Sequence, residues 1–420
     1  MNTQIERNEN FAALSGAYLF PEVAKRRRLY ADAHPEKKVI SLGIGNTTEP
    51  LTPHITRALV NAAQELGTAS GYSGYGDEQG MLALRRKISQ TLYAGRFADD
   101  EVFVSDGAKC DIGRIQILFG RTARACVQDP AYPVYVDGTV IVGAAANDGI
   151  GTGTGGASAG NGYGGITYLP CCAENDFFPD LTKIKTGSLV YFCSPNNPTG
   201  AVATKAQLTQ LVETARKTGS IIIFDAAYSA FIRDETLPKS IYEIDGAKEC
   251  AIEISSFSKP AGFTGVRLGW SIVPKELAFS DGTKVNGDWN RIMTTLFNGA
   301  SNIAQKGGLA ALESEGLAEM KALVDFYLEN VQLIKTALLG DNFKKLDVQV
   351  FGEKNSPYLW VKFPGQKSWD VFDKILHTCS VVTTPGSGFG PAGESYIRFS
   401  AFGHRQDVIE ACERLARFRG

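Results

Sequence analysis

The chain has 420 residues, of which 44% are hydrophobic and 21% charged, and its formal net charge is -2. This balance is typical of a globular protein of two or three domains. It gives no reason to expect a nucleic acid or an anionic membrane surface as a partner, and no apolar run approaches the roughly 18 residues that a membrane-spanning helix needs.

The first fifty residues form short segments separated by prolines, and we expect residues 1–50 to pack against a C-terminal domain. The basic run at residues 25–28 follows Pro21 and an apolar Tyr-Leu-Phe. A solvated helix is therefore favoured over a targeting signal.

Residues 100–275 alternate short apolar runs with helical patterns. The strand candidates are EVFV, RACVQD, SLVYFC, SIIIF, CAIEIS and LGWSIV, and the helices between them include KCDIGRIQILFG and TKAQLTQLVETARKTG. Such alternation predicts an α/β domain with a mostly parallel sheet and helical crossovers, which we place at residues 51–300.

From about residue 305 the pattern changes to a long helical periodicity. The strand candidates YLWVKF and YIRFS follow, with the helical segments WDVFDKILHTC and RQDVIEACERLARF around them. This part predicts a smaller α+β domain over residues 301–420.

Residues 143–165 are glycine-rich and contain a formal GxGxxG at Gly151, Gly153 and Gly156. A dinucleotide site of that kind needs a strand immediately before the motif and a helix immediately after it. The flanks are more glycine and alanine, so a flexible surface loop is favoured over a nucleotide site.

The eight cysteines include no CxxC pair and do not cluster with the four histidines. This spacing gives no zinc site, so no metal is expected, and it favours reduced thiols in an intracellular compartment. The N-terminus lacks the apolar core of a signal peptide, and its acidic residues disfavour an intact transit peptide, although a leader already removed would leave no trace.

The segment SSFSKPAGFTGVRLGW places Lys259 just after the apolar strand candidate CAIEIS. In a parallel sheet this is the carboxyl end, where ligands bind. A partly desolvated lysine there can form an imine with an aldehyde, and Ser256, Ser258 and Arg267 can hold a phosphate by charge-assisted hydrogen bonds. The cofactor that combines an aldehyde with a phosphate is pyridoxal 5′-phosphate (PLP).

The ends of two other strand candidates supply further contacts for this cofactor. Asp225 ends the apolar run IIIFD and is suited to keep the pyridine nitrogen protonated. Tyr228, three residues on, and Asn197, in CSPNNPTG, are suited to hydrogen-bond the phenolate oxygen.

Two more stretches fit the same cofactor. Tyr132, in DPAYPVY, is suited to stack on the ring, and the helix that starts at Ala108 and Lys109 has free amides for a phosphate. Each piece has an ordinary explanation as well: NNPTG is a turn sequence, DGAK a helix start, and apolar strands commonly end in aspartate. Their joint occurrence at strand ends is what favours a PLP site.

From about residue 10 to 418 the chain resembles the class I/II aminotransferases of PLP fold type I, most specifically in SPNNPTG, FDAAYS, SFSKPAGFTGVRLGW and YIRFS. The resemblance implies an α/β large domain with a mostly parallel sheet, a smaller α+β domain, and PLP as cofactor. It makes Lys259 the lysine that holds the cofactor aldehyde and carries a proton between the substrate Cα and the cofactor. It makes Arg398 the partner of the substrate α-carboxylate.

Narrower features resemble the LL-diaminopimelate aminotransferases of plants, algae and some bacteria, which serve lysine biosynthesis. These features are AYLFPEVAKRR, LGIGNTTEPL, GYSGYGDEQG, VSDGAKCDIGR, DPAYPVYVD, FFPDL and TTLFNGASNIAQ. The reaction implied is a reversible ping-pong transfer between LL-2,6-diaminopimelate and 2-oxoglutarate, which gives tetrahydrodipicolinate, glutamate and water.

Diaminopimelate carries a second amino-acid head, so its pocket must satisfy a distal ammonium and a distal carboxylate. Glu78 is the candidate for the distal ammonium, with a surface glutamate at a helix start as the alternative. The resemblance places further substrate contacts at Tyr18, Gly45, Lys109, Tyr132, Asn197 and Asn298. It also implies a homodimer with shared active sites, in which Tyr75 reaches the phosphate of the neighbouring subunit.

Two other functions stay open at this point. One is a transaminase of the same fold that acts on aspartate, an aromatic amino acid or kynurenine, and the other is a PLP-binding regulator without catalysis. Small molecules are the expected partners. The resemblance implies the plastid stroma in a plant or alga and the cytoplasm otherwise.

Overall fold

The structure, a computed structural model, describes residues 3–14, 18–146 and 163–419. Its α-helices are α1 (Asn10–Ala13), α2 (Leu19–Ala33), α3 (Pro53–Leu66), α4 (Leu82–Leu92), α5 (Ala108–Phe119), α6 (Val134–Ile141), α7 (Lys205–Thr218), α8 (Val285–Leu296), α9 (Asn302–Ala311), α10 (Ser314–Leu338), α11 (Asp341–Lys344), α12 (Ser368–Cys379) and α13 (Arg405–Leu415). Its strands are β1 (Ile40–Ser41), β2 (Val102–Ser105), β3 (Arg124–Asp129), β4 (Ile166–Pro170), β5 (Ser188–Cys193), β6 (Ile221–Asp225), β7 (Ala251–Ser256), β8 (Gly269–Ile272), β9 (Gln349–Gly352), β10 (Tyr358–Lys362), β11 (Val381–Val382), β12 (Thr384–Pro385) and β13 (Tyr396–Ser400).

The largest sheet in these ranges has seven strands in the order β2-β8-β7-β6-β5-β3-β4. Every pair from β7 to β4 is parallel, while β8 runs antiparallel to both β2 and β7. The carboxyl ends of β3, β5, β6 and β7 therefore meet at one edge, where ligands bind in sheets of this kind. The α/β class with a mostly parallel sheet, predicted from the sequence, is confirmed.

The central strands are buried on both faces because helices and loops pack on each side of the sheet. Val190, Ile222 and Phe224 belong to one hydrophobic cluster, whereas Tyr191 and Ile223 belong to another. Since side chains alternate across a strand, a continuous apolar run is what a doubly covered sheet requires.

Local signals set the ends of the crossover helices. The hydroxyl of Thr204 accepts a hydrogen bond from the amide of Gln207 and caps α7, which ends at Gly219 with φ 60°. Helix α5 begins directly after Gly107, whose φ is 123°. That value suits glycine alone, and it lets β2 turn sharply into the helix that faces the carboxyl edge.

The C-terminal part builds a second core. Strands β12, β13, β10 and β9 form a four-stranded antiparallel sheet, and β1 pairs in parallel with β11. Leu19, Val23 and Tyr30 from the N-terminal segment share a hydrophobic cluster with side chains between Val331 and Phe418. The domain boundaries at residues 50 and 300 stay a prediction.

Some elements differ from the sequence prediction. The helical periodicity that begins near residue 305 is divided between α9 and α10, because Glu313 has extended backbone dihedrals. Most of the predicted surface loop at 143–165 falls on residues 147–162, which lie outside the described residues. None of the helices in the described ranges combines the length and apolar character needed to cross a bilayer.

Candidate active site

A cavity of about 400 Å³ opens at the carboxyl edge of the main sheet. Twelve residues predicted for the site line it: Gly45, Ala108, Lys109, Tyr132, Asn197, Asp225, Tyr228, Ser256, Ser258, Lys259, Arg267 and Arg398. Loops that follow different strands thus bring distant parts of the sequence to one place.

One end of the cavity is a cluster of hydrogen-bond donors. The Ser256 hydroxyl lies 2.8 Å from that of Ser258, and Nη1 of Arg267 lies 3.3 Å from the Ser258 oxygen. The guanidinium of Arg267 also lies against the start of α5, since a Cβ added at Gly107 would be 2.4 Å from its Nη2. Hydroxyls, a guanidinium and the first amides of a helix form a donor set that fits a phosphate dianion.

A carboxylate lines the same cavity as these donors. Asp225, at the end of β6, is buried, and its Oδ2 accepts a hydrogen bond of 2.7 Å from Tyr135 while its Oδ1 accepts one of 3.0 Å from the amide of Ala227. Burial raises the pKa of Asp225, and the bonds from Tyr135 and Ala227 oppose that rise. A buried carboxylate in this state favours a positively charged hydrogen-bond donor as its ligand.

Lys259 lines the cavity together with these two features. It donates a hydrogen bond to the carbonyl of Gly45 and lies 5.3 Å from the centre of the Phe402 ring. Burial, together with the positive charges of Arg398 and Arg267, lowers the pKa of this amine to about 7. A neutral amine is the nucleophilic form that condenses with an aldehyde.

Arg398, in the middle of β13, is a buried cation with donors to spare. Its Nη1 donates to Oδ1 of Asn197 and its Nη2 to the carbonyl of Gly43, both at 2.6 Å, and its Nε has no hydrogen-bond partner among the described residues. Its guanidinium lies 4.4 Å from the centre of the Tyr358 ring, and the hydroxyls of Tyr358 and Tyr228 are 2.7 Å apart. Such a group is suited to a ligand carboxylate.

Lys109, another cationic residue that lines the cavity, lies near two aromatic rings. Its ammonium is 5.2 Å from the ring centre of Tyr18 and 6.0 Å from that of Tyr132. Burial and the charge of Asp137 raise the pKa of Tyr18 to about 12, so this hydroxyl stays protonated at neutral pH. Tyr18 does not line the cavity itself, but it contacts Lys109 and Tyr132, which do.

Three predicted residues lie away from this cavity. Tyr75 is 90% exposed, Asn298 is exposed and Glu78 is half-buried. Glu78 and Asn298 lie close together, because a Cβ added at Gly299 would be 3.6 Å from the Cα of Glu78. None of these three side chains lines the cavity that contains Lys259.

Comparisons with known proteins agree with this geometry. A family model described as aminotransferase class I and II matches residues 160–415. The chloroplastic LL-diaminopimelate aminotransferase of Arabidopsis thaliana is 54% identical over 414 residues, which cover 98% of this chain and 87% of the relative. That of Protochlamydia amoebophila (strain UWE25) is 50% identical over 411 residues, which cover 98% and 97%.

A solved structure agrees as well. L,L-Diaminopimelate aminotransferase from Chlamydomonas reinhardtii superimposes with a TM-score of 0.93 at 53% identity, and the match covers 100% of both chains. The chain belongs to the class I and II aminotransferases. The resemblance to this family and to its LL-diaminopimelate aminotransferases, inferred from sequence motifs, is confirmed. So is the expected fold type.

Enzymes of this family use PLP. The cavity of this aminotransferase fits that cofactor on its own chemistry: its lining provides donors for a dianion, a buried carboxylate, and a lysine amine whose pKa is lowered to about 7. These groups suit a molecule that carries a phosphate, a protonated ring nitrogen and an aldehyde.

Sequence reasoning missed several residues of the aminotransferase cavity. Phe20, Thr264 and Tyr358 line it, and Tyr135 holds Asp225 from behind. Tyr358 begins a strand candidate and Tyr135 begins a helix, so both match the pattern of ordinary core positions. The only signal for Tyr135 was its place three residues after Tyr132 in DPAYPVY.

Proposed function

We propose that this aminotransferase transfers an amino group between LL-2,6-diaminopimelate and 2-oxoglutarate in lysine biosynthesis. The products are tetrahydrodipicolinate, glutamate and water, and the two half-reactions use the cavity in turn. Relatives that carry this activity in their names are 50–54% identical and aligned over nearly the whole chain, which supports the substrate assignment.

The observation that carries the proposal is the position of the Lys259 amine. It is buried, its pKa is lowered to about 7, and it lies in one cavity with an anion-binding cluster and the side chain of Arg398. Transamination needs these three elements together: an amine that is neutral near physiological pH, a hold on the cofactor, and a hold on the substrate.

The chain would hold PLP through several groups that line the cavity. Ser256, Ser258 and Arg267, with the amides of Ala108 and Lys109, would bind the phosphate. When bound, PLP supplies an aldehyde for the amino group and a ring that withdraws electrons from the substrate Cα. Asp225 would accept the hydrogen bond of the ring nitrogen, Tyr132 would pack on the ring, and Asn197 and Tyr228 would contact its phenolate oxygen.

Lys259 would then work as the base. Its neutral amine accepts the proton from the substrate Cα and later gives a proton back, because a pKa of about 7 allows both directions near neutral pH. Arg398 would bind the α-carboxylate through N–H groups of its guanidinium. This contact fixes the Cα–H bond next to the amine.

The distal head of diaminopimelate would meet residues from two subunits. Lys109 and Tyr18 border the cavity from within one chain, whereas Tyr75, Glu78 and Asn298 lie on its outer surface. We propose a homodimer in which this outer surface of one subunit closes the cavity of the other. Glu78 would bind the distal ammonium, and Asn298 would lie beside the substrate.

A direct assay tests this function. Purified enzyme with PLP is given LL-diaminopimelate, aspartate, an aromatic amino acid or kynurenine at matched concentration, with 2-oxoglutarate as acceptor. We expect glutamate to form fastest from LL-diaminopimelate, with an absorbance change of the bound cofactor on adding that donor alone. A clear preference for one of the other donors would overturn the substrate assignment while leaving an aminotransferase.

The cellular location is a further proposal. A relative described as chloroplastic and another from a bacterium are both at least 50% identical to this chain. We propose the plastid stroma if the source is a plant or alga and the cytoplasm if it is a bacterium. Detection of a fluorescent full-length fusion in the source cell distinguishes the two.

A further inference from the structure

The carboxylate of Asp225 is held from behind by a residue outside the cavity lining. Tyr135, in the first turn of α6, donates a hydrogen bond of 2.7 Å to Oδ2, and the amide of Ala227 donates one of 3.0 Å to Oδ1. Each carboxylate oxygen therefore has one fixed donor. Two donors on different oxygens fix both the position and the plane of the group.

Tyr135 also acts on the charge of Asp225. Burial alone favours the neutral acid at position 225, and a hydrogen bond from a phenol favours the ionised form. Only the ionised form can oppose the positive charge of a protonated ring nitrogen. The amide of Ala227 works in the same direction, but among the described residues only Tyr135 donates to this carboxylate through a side chain.

The phenol of Tyr135 is a permanent donor. Burial and the neighbouring Asp225 raise the pKa of Tyr135 well above 10, so it keeps its proton throughout the working range of an enzyme. Its ring is 1% exposed and stacks on Tyr191 with centres 5.2 Å apart and planes at 15°. Because the ring is buried and stacked, its hydroxyl is held in the orientation that donates to Asp225.

The ring of Tyr135 also packs against Tyr132, the residue expected to lie on the face of the cofactor ring. It meets the ring of Tyr132 edge-on, with centres 5.9 Å apart and planes at 89°. The backbone carbonyl of Tyr135 accepts hydrogen bonds from Thr139 at 2.6 Å and from Gln116 at 3.1 Å. Tyr135 thus connects the start of α6 to the two residues expected on the nitrogen and on the face of the ring.

We propose that Tyr135 is a positioning residue for amino transfer, whose phenol O–H holds the Asp225 carboxylate toward the ring nitrogen while its ring supports Tyr132. The inference rests on the proposed use of PLP in this cavity. It assigns a role to a residue that touches neither substrate nor cofactor.

The test compares two matched changes, Tyr135→Phe and Tyr191→Phe, in the holoenzyme. Each removes one hydroxyl from one member of a stacked pair, but no hydrogen bond joins the Tyr191 hydroxyl to Asp225. The affinity for PLP is measured by equilibrium dialysis, and the protonation of the ring nitrogen by NMR of PLP labelled with ¹⁵N in the ring.

We expect Tyr135→Phe to weaken PLP binding by about tenfold, the usual effect of losing one hydrogen bond to a charged group. The ¹⁵N resonance should move toward that of a neutral pyridine, and kcat should fall more than KM rises. Tyr191→Phe should leave affinity and resonance at their original values. Equal behaviour of the two variants would overturn the proposal.

A graded series covers the case in which Tyr135→Phe does not fold. Fluorotyrosines at position 135 keep the shape of the ring but change the acidity of the phenol. The ¹⁵N resonance of the cofactor should therefore change progressively from the least to the most acidic fluorotyrosine. A resonance that does not depend on that acidity would contradict the proposal. If the unaltered protein takes up no PLP at all, the proposed function fails, and that result differs from a failure of the role of Tyr135.

Discussion

Lys259 and Arg398 place two cationic side chains in one cavity. Burial, followed by the positive charge of Arg398, lowers the pKa of the Lys259 amine to about 7. The direction of the shift is useful to the enzyme. A lysine with an ordinary pKa would be almost entirely protonated at neutral pH and a poor nucleophile and base.

The first prediction concerns this titration. PLP should condense with the apoprotein at a rate that rises about tenfold per pH unit below 7 and levels above it, because only the neutral amine reacts. The rate is measured by borohydride trapping at a series of pH values, with the labelled residue identified by mass spectrometry. Arg398→Gln removes one repelling charge, which raises the pKa of Lys259, so the midpoint should move to higher pH.

Two controls define the outcome of this titration. Lys259→Ala should abolish the borohydride-stable label, whereas Arg291→Gln, a change on the exposed face of α8, should leave the midpoint in place. A midpoint near 10 in the unaltered protein, or one that does not respond to Arg398→Gln, would show that the environment of the amine is not as described.

Three of the predicted residues that line the cavity share one property. Lys259, Asp225 and Asn197 each follow an apolar strand and are polar where the strand pattern stops, which makes them visible without a structure. Tyr358 and Tyr135 are aromatic residues at positions where a core residue is also expected. Their hydroxyls act through partners that are 130 and 90 positions away, and no local pattern encodes such pairs.

At the scale of elements, the junction between β2 and α5 positions the anion-binding end of the cavity. Gly107 turns the chain with φ 123°, and the Arg267 guanidinium occupies the space where a side chain at 107 would stand. The glycine thus serves two needs at once, a backbone conformation and a close approach.

The second prediction compares two glycines near and in this helix. Gly107→Ala should weaken PLP binding by more than about tenfold, since the new methyl displaces Arg267 and the backbone at 107 is strained for alanine. Gly113→Ala, in the middle of α5, meets no atom within 4 Å. It should leave PLP affinity unchanged and add up to about 1 kcal/mol of stability, as alanine is the better helix former.

Equilibrium dialysis of PLP and urea unfolding provide the two measurements. Retention of normal PLP affinity in Gly107→Ala would remove the anion-binding role of this junction. A comparable loss in Gly113→Ala would point to a general effect on the helix.

Strand prediction succeeded where burial is continuous. SLVYFC and RACVQD were predicted with the bounds of β5 and β3, because parallel strands covered on both faces leave a dense apolar run. Strands β1 and β11 were not predicted. Each has two residues and exists because it pairs with the other across more than 300 positions, which no local propensity records.

At the scale of the whole molecule, the exposed loop with Tyr72 and Tyr75 requires an explanation. These rings are 72% and 90% exposed, and the loop is tied to α9 by hydrogen bonds from Asn302 to Ser73 and Gly74. A fixed loop that presents aromatic rings to solvent is suited to an interface. The proposed dimer uses it for this purpose.

The third prediction tests sharing of active sites between subunits. Lys259→Ala and Glu78→Ala should each lose most turnover of LL-diaminopimelate. In mixed and refolded protein, a heterodimer would combine Lys259 of one subunit with Glu78 of the other in one intact site. Activity should therefore recover to about a quarter of the original value, since half of the dimers are mixed and each has one working site.

Two controls accompany the mixing experiment. The double variant mixed with Lys259→Ala should recover nothing, and Glu235→Ala, on an exposed turn, should keep full activity unmixed. Absence of recovery in the first mixture would mean that Glu78 serves its own subunit. Full activity of Glu78→Ala before mixing would mean that Glu78 has no part in the reaction.

A last feature of the whole molecule is the set of buried acids that cannot easily ionise. Burial raises the pKa of Glu253 from 4.5 to about 7, although its carboxylate accepts hydrogen bonds from Tyr93 at 2.7 Å and Ser240 at 2.6 Å. Burial likewise raises the pKa of Asp111 to about 7 and of Asp129 to about 6. At these three side chains the folded state therefore binds more protons than the unfolded state between about pH 4 and 7.

The fourth prediction follows from the sign of this difference. A group with a raised pKa in the folded state contributes stability that is complete below its unfolded pKa and is lost as pH rises through its folded value. Glu253 should therefore contribute about 3 kcal/mol at pH 4.5 that disappears by pH 8. Glu253→Gln, which cannot titrate, should flatten the fall in unfolding free energy across this range by that amount.

Urea unfolding at several pH values measures the slope, with Glu235→Gln as the control for removing a solvent-exposed carboxylate. Lys259 titrates in the unaltered protein and in both variants, so its effect cancels when their unfolding free energies are subtracted. Parallel curves for Glu253→Gln and the unaltered protein would mean that Glu253 ionises at its ordinary pKa. In that case its hydrogen bonds to Tyr93 and Ser240 would outweigh the effect of burial.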